Sequence, residues 1–153
     1  MISARLVHLI ESHADQIVGR TTKQMEREAG MDHSQLLLDF ELRDLGQCIA
    51  RQLGDWLSSG NTLDLGYRCE RLGKLCSDQA IPIEQALRAL SMLREKMLDF
   101  AQEQLLSNSS VELYAEEELD RRLVRFFDRL AVHLVRGFEQ AIRSTGKTRP
   151  AIH

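Results

Sequence analysis

Apolar side chains recur at steps of three and four residues through almost the whole chain, and alternating β-branched runs do not occur. The long stretches between punctuating residues are rich in Leu, Glu, Gln, Arg and Ala, and the two prolines stand at Pro82 and Pro150. This pattern predicts an all-α fold. It places five helices, over residues 2–29, 40–58, 62–79, 82–106 and 111–144, in one domain over residues 1–144 with a flexible tail at 145–153. Each join has an expected cause. Gly30 and Gly60 can take the left-handed conformation that ends a helix, and Asp39 and Thr62 can accept hydrogen bonds from the free amides that begin one. Pro82 fits a first helical turn, and Ser109 with Glu112 has the spacing of a capping box.

The last helix carries two apolar seams. Leu119, Leu123, Phe126, Leu130, Leu134, Phe138 and Ala141 form the first. Val124, Phe127, Ala131, Val135 and Ile142 form the second, which either completes the core or meets another subunit. Glutamates 112, 116, 117 and 118 near its start and Arg136, Arg143 and Lys147 near its end suit the helix dipole. In the second and third helices, Gly46, Ala50 and Gly54, then Gly66, Cys69, Gly73 and Cys76, make stripes of very small side chains. A glycine inside a helix costs about 1 kcal/mol relative to alanine. The stripes therefore imply either close helix packing or the border of a small-molecule cavity. Arg68, Arg71 and Lys74 lie on the outside of the third helix, solvated or facing an anionic partner.

Composition narrows the chemistry. With 153 residues and 43% apolar content, the chain is large enough for a core that needs no metal or disulfide. No apolar run reaches the ~20 residues of a membrane helix and no export signal is evident, so a cytoplasmic protein without membrane association is expected. A net charge of −3 argues against nonspecific nucleic-acid binding. Cys69 and Cys76 are separated by a rise of about 10.5 Å, too far to share an ion or a disulfide, so Cys48, Cys69 and Cys76 read as small apolar thiols. No phosphate-binding loop, dinucleotide fingerprint, nucleophile elbow or metalloprotease motif occurs, and neither a catalytic residue nor a cofactor is expected.

One short segment resembles a known chemistry. His133-Leu134-Val135-Arg136-Gly137 is similar to the core of histidine phosphotransfer domains. His133 falls on a polar stripe with Glu118, Arg122, Arg125, Arg129, Arg136 and Gln140, so its imidazole is expected to be exposed, either as a phosphoacceptor or as a histidine on a charged face. Only about twenty residues follow it, where phosphotransfer domains continue with further bundle helices.

Glu41-Leu42-Arg43, the run Leu65 to Gly73 (LGYRCERLG), the run Ile81 to Leu106 (IPIEQALRALSMLREKMLDFAQEQLL) and Leu119-Asp120-Arg121-Arg122-Leu123 together resemble a family. This is the RsbT co-antagonist amino-terminal domain, found in RsbR-type stressosome proteins and some bacterial histidine kinases. The resemblance spans about residues 5–144. It implies a five-helix, globin-like fold without haem, a homodimer, and a role in relaying a ligand or partner signal to an anti-sigma-antagonist or kinase output. The absence of histidine between His33 and His133 agrees with the lack of a haem ligand on a middle helix. No output region accompanies the domain in this sequence, so either the signal is expected to leave through a protein partner or the chain is a fragment or a stand-alone relative, with an unidentified small ligand as one source of the signal.

Overall fold

The helical periodicity is realised as seven α-helices in the computed structural model, which describes residues 4–29, 33–60, 62–104 and 110–145. In chain order these are α1 Ala4–Ser12, α2 Ala14–Ala29, α3 His33–Arg51, α4 Leu53–Ser59, α5 Leu63–Asp78, α6 Ile83–Glu103 and α7 Ser110–Ser144. Among the described residues there is no strand. Helix α6 is the hub, touching α1, α2, α3, α5 and α7. The pair α2 and α3 lies on one side of it and the closely joined pair α5 and α7 on another, while α4 packs on α1. One apolar cluster runs through all of them, with Ile10, Ile17, Leu38, Ile49, Leu53, Leu65, Met97, Phe100 and Phe126 almost wholly buried.

Among the described residues seven helices stand where five were expected, because two long ones are interrupted. The first breaks at His13, whose amide reaches back three residues to the Ile10 carbonyl (3.2 Å) while its Nδ1–H donates to the Leu9 carbonyl (2.9 Å). That tighter turn restarts the helix without glycine or proline. The second breaks at Gln52 (φ −119°, ψ 25°). There Trp56 Nε1 donates to the Cys48 carbonyl (3.4 Å), and the Glu11 carboxylate of α1 accepts the Gly54 amide (2.7 Å). Both devices use side chains from a neighbouring turn or helix to satisfy main-chain groups that a helix end leaves free.

The expected ends hold in part. Gly60 ends α4 with φ 68°. Thr62 precedes α5, but its hydroxyl makes no capping bond, and the helix begins instead with the Gly66 amide on the Thr62 carbonyl (2.7 Å). Pro82 stands one residue outside α6. Asp39 is not a cap: α3 begins at His33, and Asp39 is buried in its interior. The readings placed on Gly30, on Ser109 and on the tail beyond Thr145 lie outside the described residues.

Between α5 and α6 the chain turns without glycine. Ala80 adopts φ 56°, the Ile81 amide donates to the Cys76 carbonyl (2.8 Å) and the Ala80 amide to the Ser77 carbonyl (3.4 Å). This closes α5 with the paired bonds of a Schellman motif and buries Ile81 beside Cys76. A left-handed alanine is disfavoured by about 1 kcal/mol. Ala80→Gly is therefore expected to raise the urea midpoint slightly, by up to about 1 kcal/mol of stability less the chain entropy that glycine restores.

Candidate functional site

Helices α5 and α7 meet through glycine. An alanine Cβ at Gly73 would strike the Leu134 carbonyl and come within 2.7 Å of the Phe138 amide nitrogen. One at Gly137 would strike the Glu70 carbonyl and come within 2.6 Å of Glu70 Cα. Main chain thus lies on main chain, which only glycine permits. The small stripe of α5 is used for close packing, and α7 itself fills the space where a ligand cavity was the alternative. The second stripe behaves alike, with Gly46 against Val18 and Leu93 and Gly54 against Val7 and Glu11. A cavity of about 10 Å³ between α2, α3 and α6, under Val18, Met25 and Gly46, is too small to hold more than a single water.

That close approach decides the environment of His133. Its imidazole was expected to be exposed, yet the side chain is only 21% accessible. Nδ1 lies 2.6 Å from the Glu70 carboxylate, and Arg136 lies 3.8 Å from the same oxygen. The opposite edge of the ring faces Gly66, where a Cβ would meet Nε2 at 2.7 Å. Both ring nitrogens are therefore engaged or covered, and a phosphoryl group on Nε2 would have to displace α5. A helical wheel misplaces this residue because it counts neighbours on α7 and ignores how near α5 can come. In the sequence Glu70 stands only inside a family-like run and Gly137 only at the end of the His133–Gly137 segment, and neither is assigned a packing role, although a lone glycine deep inside a long predicted helix is a usable signal.

Helix α7 has 35 residues and a length of about 52 Å. Its first seam enters the core as expected, with Leu119, Leu123, Phe126, Leu130 and Leu134 fully buried, Ala141 buried and Phe138 packed at the margin. The second seam divides. Phe127 belongs to the core, 4% exposed and edge-to-face with Phe126 at 5.4 Å between ring centroids. Val124 is 37% exposed, and Ala131, Val135 and Ile142 are partly exposed along the same edge. Val132, 57% exposed, widens this strip on the solvent side.

The cysteines are packing residues. Burial pushes the Cys69 thiol up to about 12, with Arg68 opposing and Glu70 adding to the effect, and burial pushes Cys76 up to about 11. Cys48 is only half-buried. With Ellman's reagent at about pH 8, Cys48 is expected to react first and the other two only on unfolding, since the thiolate is the reactive form. Equal rates for all three would contradict the burial. The same shifts set a direction for stability. The unfolded thiols ionise near 9.0 while the folded ones stay protonated, so stability falls as pH rises above about 9.

The basic residues on the outside of α5 are largely committed within the chain: Arg68 pairs with Asp44 (2.6 Å) and Lys74 with Asp78 (2.8 Å). Among the described residues, no cluster of three or more histidine, cysteine or acidic side chains could hold a metal ion, and no helix is long and apolar enough to cross a membrane. Comparison with family models, curated proteins and solved structures finds no match to this chain.

Proposed function

We propose that this chain is a non-catalytic signal-transduction domain of the bacterial sensor type that the RsbR-like resemblance implies, a globin-like helical pack without haem that works as a homodimer. A ligand or protein partner shifts the balance between two arrangements of the helices, and α7 carries the change to an output partner. Such a shift needs two states separated by only a few kcal/mol and an element long enough to reach from one surface to another.

The observation that carries this reading is the partly exposed apolar edge of α7. Val124, Ala131, Val135 and Ile142 lie outside the core over about 27 Å of helix. A strip of that length exceeds what scattered surface apolar residues need and suits a helix-to-helix contact between two copies. The core seam on the neighbouring edge couples any motion of that contact to α5 and α6.

Spin labels test the reading. In a Cys48→Ser, Val132→Cys protein, the buried Cys69 and Cys76 stay unlabelled and one label per chain sits beside the strip. The expected pulsed dipolar spectrum has one dominant inter-subunit distance, which disappears in Val135→Asp. No dipolar coupling at tens of micromolar protein would refute the α7 dimer.

A further inference from the structure

A second surface lies on a different edge of α7. Helices α4 and α7 border an open groove of about 650 Å³, with Arg121, Arg122, Arg125 and Arg129 along one wall and Leu57 on the other. The four guanidiniums are not equivalent. Arg122 Nη2 donates to the Leu57 carbonyl at 2.7 Å, which ties the carboxyl end of α4 to α7 and fixes the groove's floor. Arg121, Arg125 and Arg129 stand on successive turns, about 6 Å apart along the axis, and all three are exposed.

Arg20, Arg51, Arg88, Arg94, Arg136 and Arg143 each lie within 4 Å of a carboxylate, as Arg68 does. Among the described residues, no carboxylate lies within that distance of Arg121, Arg125 or Arg129. Arg27, Arg43 and Arg71 likewise have no carboxylate within 4 Å among the described residues, and what sets Arg121, Arg125 and Arg129 apart is that they stand together in one groove. Glu118 and Asp128 also line the groove, but four guanidiniums outnumber two carboxylates there, in a chain whose net charge is −3. Unpaired arginines concentrated in one groove are a surface that an anionic partner would complete, because the planar guanidinium pairs with carboxylates in a fixed fork.

We propose that this groove docks an acidic segment of a partner protein, with carboxylates on successive helical turns meeting Arg121, Arg125 and Arg129. A peptide fits the site better than a nucleic acid does. Asp128 in the groove and the overall negative charge repel a uniform polyanion, whereas a protein segment can place cationic or apolar groups against Asp128 and Leu57. The inference deepens the relay reading by naming where its output partner would attach.

The test is fluorescence anisotropy with a labelled helical peptide that carries glutamate at every fourth position. A peptide with lysine at those positions and a thymidine oligonucleotide serve as the other probes. The glutamate peptide is expected to bind, and its affinity is expected to fall about tenfold in Arg121→Gln/Arg125→Gln/Arg129→Gln, since exposed charge pairs contribute modestly one by one. A similar weakening is expected as salt rises from about 0.05 to about 0.3 M. Arg27→Gln/Arg43→Gln, on α2 and α3, should leave binding unchanged. Val135→Asp should also retain binding, which separates failure of the groove from failure of the dimer. Amide resonances of α4 and residues 118–129 should move on titration of the unsubstituted protein. No binding of the glutamate peptide, equal loss in the two arginine variants, or tighter binding of the oligonucleotide with the same arginine dependence would each overturn the proposal.

Discussion

Gly137→Ala is expected to destabilise the chain by about 3 kcal/mol or more, a fall of roughly 10 °C in Tm for a domain of this size. The new methyl would overlap the Glu70 carbonyl, and main chain cannot swing aside as a side chain can. Helices α5 and α7 would have to separate, opening the core around Leu65, Cys69, Leu130 and Leu134. Gly73→Ala meets the Leu134 carbonyl from the other helix and should cost a similar amount. The nearest atoms to the methyl of Gly66→Ala belong to the His133 ring, which can rotate at the expense of its bond to Glu70, so its effect should be smaller. Gly19 in α2 has nothing within 4 Å of the added carbon, and Gly19→Ala should stabilise by up to about 1 kcal/mol through helix propensity. Urea unfolding of the four variants checks the order. Near-equal values for Gly137→Ala and Gly19→Ala would mean that α5 and α7 are not in main-chain contact.

Phe127→Asp and Val135→Asp should fail in different ways, although periodicity places both residues on the same seam. Phe127 is buried, so aspartate there loses the packing of an aromatic ring, worth about 3–5 kcal/mol, and adds a carboxylate without a partner. That sum is comparable with the whole stability of a domain, about 5–15 kcal/mol, and the variant should lose its helical circular dichroism. Val135 is partly exposed, and its replacement should leave the spectrum intact while separating the two copies of the proposed dimer. Retained helicity in Phe127→Asp, or unfolding of Val135→Asp, would reverse the assignment of core and interface along α7.

The contrast shows what the sequence discloses and what it withholds. The strong periodicity of α5, α6 and α7 locates those helices to within a few residues, and the first α7 seam marks its core face correctly. Phe127 lies at the border of that face, and whether a border position is covered depends on the neighbouring helix. The break at His13 carries no glycine or proline and the one at Gln52 has only Gly54 in the following turn; both rest on side-chain bonds to main-chain atoms of another turn or helix. Asp39 resembles a cap because aspartate commonly begins helices, but the chain is already helical from His33. The left-handed Ala80 gives no warning in sequence, since its conformation is set by the two bonds that close α5.

The site was legible to a similar depth. Helical spacing picked out the glycine stripe of α5, while its counterpart Gly137 on α7 emerged only when the two helices were seen in contact. His133 looked accessible by its place on a charged face, and the contact that makes α5 and α7 adjoin is the one that covers it. Helical spacing puts Arg122, Arg125 and Arg129 on one polar stripe with His133 but leaves Arg121 off it, so the groove is not legible in the sequence. That Arg122 is tied to Leu57 while Arg121, Arg125 and Arg129 lack carboxylate partners follows from tertiary structure alone.

Sedimentation equilibrium of the unsubstituted protein at tens of micromolar tests the relay most directly, because association by mass action is what the exposed edge of α7 implies. The account predicts a species of twice 17.5 kDa, converted to a folded single chain by Val135→Asp. A single chain throughout that range, with its helicity intact, would contradict it.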